Sequence, residues 1–245
     1  MAKSGGMGDN FYIDGYDLSG DVNSLSKVGG GMATFDMTGI DKFAFERQGG
    51  LKDGEISFTT YMNDSVGQAT AVLNDLPTAD VSAAYFRGTT QGNQAACLVA
   101  KQINFDPTRA NDGMITFQVQ ALANGYGLEW GNMLTAGKRT DTSATSPATG
   151  YDFLAASSFG WQAYLQVFSF TGTSCTVTLE DSANNSAFAV FTSSAFAAAT
   201  ARGTQRIAGA AGSTVRRYVR AVTSGTFSEC TFAVVFVKNE SAVAF

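Results

Sequence analysis

A chain of 245 residues with 44% apolar side chains can bury a sizeable core in one large or two ordinary domains. Only 15% of residues are charged, the net charge is −5 and histidine is absent. The missing histidine removes the commonest general base and metal ligand, and an acidic chain without a basic cluster does not hold nucleic acid by neutralising phosphate.

So little charge on a soluble protein points to a surface covered by other copies or partners, the alternative being a low-charge monomer. Residues 1–140 carry fifteen Asp and Glu against ten Lys and Arg, and residues 141–245 carry six against six, so the whole acid excess lies in the first part. Cys97, Cys175 and Cys230 are far apart, odd in number and outside any CxxC pattern, and read as small core hydrophobes. The opening MAKSGGMGDN lacks the apolar run of a signal peptide, and no stretch approaches eighteen apolar residues, so no membrane anchor is expected. No serine sits in GxSxG, and the glycine clusters at 5–8 and 29–31 lack phosphate-cradling spacing. Asp14, Asp17 and Asp21 are too loosely spaced for a calcium loop. No catalytic, cofactor-binding or metal residue is expected, and the chain reads as a non-enzyme.

In chain order, FYIDGY (11–16) reads as a first strand, Ser24 to Val28 as a second and Met32 to Thr38 as a third. Residues 39–54 read as an extended loop ending in the GLKDG turn, and a loop of that length works on something outside its own domain. From Glu55 to Tyr61 the alternation puts Ile56, Phe58 and Thr60 on one face and Glu55, Ser57, Thr59 and Tyr61 on the other, a half-buried antiparallel strand. A short helix follows, capped by Asp64 or Ser65, with apolar positions Ala69, Val72, Leu73 and Leu76, and Pro77 closing it. Strands resume at 81–87, 95–105 and 113–122, with DPTRANDG (106–113) as a turn. Residues 123–150 begin as an aromatic and glycine-rich tail and end in a Thr-, Ser- and Pro-containing linker, placing a domain boundary near residue 146. Beyond it, strands at 163–170, 175–181, 187–194, 204–209, 215–223 and 231–239 suggest a C-terminal β-sandwich of jelly-roll or Ig-like kind. Within VRRYVRAVT, Arg216, Tyr218 and Arg220 share a face; they either pack on the sheet or form an outer-surface contact for an acidic or sugar ligand.

Four stretches carry a resemblance: YIDGYDLSGDVNSLS (12–26), ATFDMTGIDKFAFER (33–47), GGLKDGEISFTTYMND (49–64) and the run LVAKQINFDPTRANDGMITFQVQALANGYGLEWG (98–131). Together they resemble the major tail (tail tube) proteins of long-tailed siphophages, the actinobacteriophage type in particular. The resemblance implies a mainly β protein. Residues 1–146 would form a tail-tube β-sandwich or barrel-forming domain with one short α-helix, and residues 147–245 a β-sandwich module. It also implies a virion subunit, assembled in the host cytoplasm, that forms hexameric rings stacked into a tube. Its partners would be its own copies, the tape measure, terminator and distal tail proteins, and DNA that passes the lumen without specific binding. The loop at 39–54 would reach a neighbouring ring, with Asp41, Lys42, Phe43, Phe45, Arg47, Leu51, Lys52 and Asp53 as inter-subunit contacts. Bottom-up, the inner wall would carry the excess carboxylates and repel the phosphate backbone. A capsid decoration protein and a carbohydrate-binding virion protein are the rival readings.

Overall fold

The structure is a computed structural model describing residues 5–74 and 80–241. It is nearly all β. Four strands lead: β1 (Asn10–Ile13), β2 (Tyr16–Asp17), β3 (Val22–Asp36) and β4 (Arg47–Tyr61). After the helix α1 (Ala69–Leu73) come β5 (Val81–Phe86), β6 (Gln94–Arg109) and β7 (Ile115–Ala123). The short β8 (Glu129–Met133), β9 (Arg139–Asp141) and β10 (Tyr151–Asp152) precede β11 (Trp161–Ser182), β12 (Ala189–Ala195), β13 (Gly203–Ala208) and β14 (Tyr218–Lys238). No helix among the described residues is long and apolar enough to cross a membrane.

The chain divides into two compact units, one of Met1–Gly20, Ser82–Cys97 and Glu129–Phe245, the other of Asp21–Val81 and Leu98–Leu128. They are not consecutive halves meeting near residue 146. Residues 123–150 are not a free linker either: β8 and β9 pair with β14, and Thr145 bridges Thr223. An exposed edge of β14 offers backbone groups that need partners, and this segment supplies them.

The larger unit is built on the β11–β14 pair, which runs antiparallel from Trp161↔Lys238 to Ser182↔Tyr218. Each of these strands replaces two expected from sequence, 163–170 with 175–181 and 215–223 with 231–239. The sequence shows a break at TGTS because the ladder bends there, with register shifts around Gly172. Gly172 has φ +148, and a Cβ on it would lie 2.4 Å from Phe227 Cα, so only glycine lets the strands stay this close through the bend. Trp161, Ala163, Leu165, Val167, Cys175, Val177 and Leu179 from β11 meet Val219, Ala221, Phe232, Val234 and Phe236 from β14 in one core. Cys97, Cys175 and Cys230 are buried free thiols, as their isolation in the sequence predicts.

The opposite face of β11 is buried too. Gln166 Oε1 accepts the Gly15 N–H at 2.8 Å, and its Nε2 donates to Ser82 O at 3.0 Å, with the side chain only 1% exposed. One amide thereby fastens the β1–β2 turn and β5 to the C-terminal strands, which explains why residues 1–20 belong with residues 129–245.

In the smaller unit the sheet order is β3-β4-β7-β6, antiparallel throughout. Ile56, Phe58 and Thr60 are buried beside Phe117, Val119 and Ala121, as the alternation in both strands predicts. The two strands expected at 24–28 and 32–38 are one, β3. The GLKDG segment lies inside β4 rather than at a turn, and the expected 39–54 loop shrinks to residues 37–46. DPTR likewise continues β6, leaving the turn to residues 110–114. α1 has Gln68 as its N-cap, with no side-chain bond there, so neither Asp64 nor Ser65 caps it. Instead Asp21 Oδ2 accepts the Ala69 N–H at 2.9 Å, and Gln102 Nε2 donates to Leu73 O at 2.7 Å. A carboxylate from a distant part of the chain satisfies an orphan helix donor that a local cap was expected to satisfy. Leu76 and Pro77 lie outside the described residues.

Replacing Gln166 with Ala strands the buried Gly15 N–H, at a cost on the order of 1–3 kcal/mol, while Ser82 O keeps the bond it accepts from the Asp14 N–H. The expected loss is about 1–3 kcal/mol in urea unfolding, and a loss below about 0.5 kcal/mol would show that the N-terminal strands are held by other contacts.

Candidate functional site

The β3–β4 hairpin is built in two parts. Near its root, Glu55, Ser57 and Thr59 alternate with buried Ile56, Phe58 and Thr60, and β7 pairs along β4 from Tyr61↔Thr116 to Glu55↔Leu122. Beyond Gly54, β4 pairs with β3 alone, through Gly30↔Gly54, Met32↔Lys52, Phe35↔Gln48 and Asp36↔Arg47. A Cβ on Gly54 would meet Leu128 N at 2.5 Å, so the chain closes against the hairpin at this point and glycine marks where the free arm begins.

The arm's loop has a defined conformation. Asp36 Oδ1 accepts from both the N–H and the hydroxyl of Thr38, and these bonds hold its carboxyl below the usual range. Thr38 Oγ1 accepts the Glu46 N–H at 2.9 Å, and the Met37 N–H donates to Glu46 O at 2.9 Å. Lys42 lies between Asp41 and Glu46 at 3.7 and 3.6 Å, and the Arg47 guanidinium rests 4.7 Å from the centre of the Phe45 ring. This polar frame presents Met32, Phe35, Met37, Ile40, Phe43, Phe45 and Leu51 to solvent, with Ile40 and Phe43 fully exposed. An ordered surface with this many large apolar side chains outward marks an interaction site.

All eight residues expected as inter-subunit contacts fall on this one hairpin: Asp41, Lys42, Phe43 and Phe45 in the loop, and Arg47, Leu51, Lys52 and Asp53 in β4. Sequence reasoning missed Met32, Phe35, Met37 and Ile40, although four large apolar side chains within nine residues of polar neighbours were a usable signal. It also missed the edge. Among the described residues β3 pairs with β4 alone, leaving a 15-residue strand with an open side.

The polar face of the same sheet is lined by Lys27, Ser57, Thr59, Asn104, Asp106, Gln118 and Gln120, which stand side by side in register. Here the hydrogen bond from Lys27, with those from Ser57 and Gln120, lowers the Glu55 carboxyl to about 2. Four acids of residues 1–140 are held within the protomer: Asp17 bonds Lys138, Asp80 bonds Lys101, Glu129 bonds Arg206 and Asp21 holds α1. At the far end of the sheet from the arm tip, Tyr61, Met62, Asp64, Gly113, Met114 and Ile115 bound a groove of about 410 Å³.

In the other unit, the arginine cluster is engaged internally. Arg216 pairs with Asp181, Arg217 with Asp152 and Arg220 with Glu180, while Arg220 also donates to Pro147 O and lies over the Phe188 ring. Tyr218 is half-buried with the Arg217 guanidinium 5.0 Å from its ring. Among the described residues no group of three or more metal-ligating side chains converges.

No family profile matches the chain, and no curated protein matches it. Among solved structures it is similar to the Dit (gp 19.1) protein of phage SPP1, described as a paradigm of the hub adsorption apparatus in phages infecting Gram-positive hosts. That likeness has a TM-score of 0.33 and 14% identity, covering 94% of this chain and 99% of that one. It is also similar to a chain of the phage p2 baseplate in its activated conformation. With strontium the TM-score is 0.33 at 9% identity, covering 96% of this chain and 99% of that one; with calcium it is 0.32 at 11% identity, covering 97% and 100%. At these TM-scores the likeness carries no argument about role, which rests on the chain's own surfaces.

The Glu55 contacts give a pH signature. Because the carboxyl is lowered in the folded state, its stabilisation is present above the ordinary value of about 4.5 and is lost as pH falls towards about 2. Glu55→Gln is therefore expected to flatten the decline in thermal stability between pH 4.5 and 2. Identical slopes for the two proteins would mean that Lys27 and Gln120 do not favour the carboxylate.

Proposed function

We propose that this chain is a structural virion subunit that polymerises as stacked hexameric rings into a phage tail tube, through which DNA passes. One observation carries the reading: an ordered hairpin arm whose apolar side chains all face solvent, on a protein with few surface charges to keep copies apart. Its resemblance in sequence to tail tube proteins points the same way. The open edge of β3 supplies the lateral contact, since an uncovered strand edge of this length pairs with another chain. The arm supplies the axial contact between rings.

DNA meets the polar face of the β3-β4-β7-β6 sheet. Glu55 and Asp106 stand there against Lys27 among hydroxyl and amide side chains, so phosphate finds no cluster of cations to hold it. Passage without dwelling then follows from weak attraction rather than from a strongly acidic wall. The arginines of the other unit take no part. They are bound by carboxylates of their own protomer, which favours a structural module over a ligand site. Tape measure, terminator and distal tail proteins are the partners this role requires.

Removing the arm tests the reading directly. With residues 39–45 replaced by Asn-Gly, the subunit is expected to fold with unchanged circular dichroism and to remain unassembled in negative-stain microscopy. Phe43→Ala alone removes about 1.5–3 kcal/mol of apolar burial per contact, enough to raise the assembly concentration roughly 10- to 100-fold. Tubes from the arm-less protein would overturn the proposal; single rings that never stack from the intact protein would assign it to a terminal ring instead.

A further inference from the structure

The arm needs a receptor, and the structure offers one at the opposite end of the same sheet. We infer that the groove bounded by Tyr61, Met62, Asp64, Gly113, Met114 and Ile115 receives residues 40–47 of the β3–β4 arm of a second copy of this chain. The inference rests on the proposed self-assembly and adds where the arm docks.

Geometry excludes the protomer's own arm. Arg47 and Tyr61 are the two ends of β4, and fourteen residues at about 3.3 Å each separate them by roughly 45 Å. The hairpin between them is paired from Asp36↔Arg47 to Val22↔Thr60, so the arm cannot fold back along its own strand. Only another molecule reaches the groove.

The chemistry of the two surfaces matches. Phe43 and Phe45 project from the arm, while Tyr61, Met62 and Met114 stand half-uncovered around the groove. Methionine is suited to receive an aromatic ring, because its side chain adapts and its sulfur contacts ring edges favourably. The charges match as well. Among the described residues Arg47 stacks on Phe45 with no carboxylate partner, and Asp64 at the groove is exposed with no cation paired to it. Docking Phe45 into the groove brings the Arg47 guanidinium with it, where Asp64 answers it with a charge-assisted bond.

The symmetry also fits. Contact between an arm at one end and a groove at the other is head-to-tail, and a contact of that kind repeats without closing on itself unless a rotation brings it round. Repeated along the strand direction, it stacks copies axially, leaving the β3 edge for neighbours within a ring.

A charge exchange tests the docking in the full-length protein. Arg47→Glu and Asp64→Arg are each expected to raise the concentration needed for assembly at least about tenfold in sedimentation, and the combined variant to recover most of that loss. Mixing a Phe43→Cys protein with a Met114→Cys protein under mild oxidation is expected to give the mixed disulfide dimer, since the three native cysteines are buried. Arm variants that block assembly, alongside Asp64→Arg and Met114→Ala proteins that assemble normally without the mixed dimer, would overturn the groove as receptor and leave the tube reading standing. Normal assembly of the arm-less protein would overturn both.

Discussion

The antiparallel ladder between β11 and β14 is the constraint on which the larger unit depends. Every other strand of the C-terminal region borrows an edge from it: β12 and β13 pair with β11, and β8, β9 and β10 pair with β14. Because the first half of β11 is central, both of its faces must be buried. Its odd positions fill the core with Trp161, Leu165 and Val167, and its even positions place Tyr164 and Gln166 where polar atoms need partners. Glu129, held by Arg206, accepts the Tyr164 hydroxyl, and Gly15 and Ser82 satisfy Gln166. A buried amide with both ends bonded fixes a unique neighbour more strictly than an apolar side chain of its size, since any other arrangement leaves donors unpaired.

The smaller unit divides its labour by position along one hairpin. Near the root, burial of Ile56 and Phe58 fixes the register, because a slip by one residue would turn them to solvent. Past Gly54 the described residues supply no further sheet neighbour, and the ladder between two strands and the Asp36–Thr38–Glu46 bonds in the loop hold the arm. A two-stranded ribbon is marginal by itself. Its root supplies the rigidity, and its exposed aromatic side chains are free to contact another molecule.

The regular pattern of the sequence was legible where one face is buried and one is wet. Alternation located the second half of β4 at 55–61 and, from the strand expected at 113–122, β7 at Ile115–Ala123 to within two residues, and spacing located the helix around Ala69 and Leu73. It misled where glycine and polar residues carry strand geometry. Gly29, Gly30, Gly31, Gly49 and Gly50 lie inside β3 and β4, and their punctuation suggested turns because composition does not reveal a strand edge beside them. The sixteen residues expected as a loop at 39–54 are instead the end of a hairpin whose loop is ten residues, 37–46. The arginines read as a possible ligand face because their carboxylate partners, Asp181, Asp152 and Glu180, come from elsewhere in the chain.

What the sequence determined by itself is local. A period of two in hydrophobicity and β-branched and aromatic runs set a mainly β protein, and its composition holds no imidazole. What the tertiary structure decided is non-local: that residues 1–20 join the C-terminal strands, that Asp21 caps a helix 48 residues away, and that arm and groove occupy opposite ends of one sheet. Strand pairing is read from contacts between distant positions, and a single chain encodes those only through the packing that its folding completes.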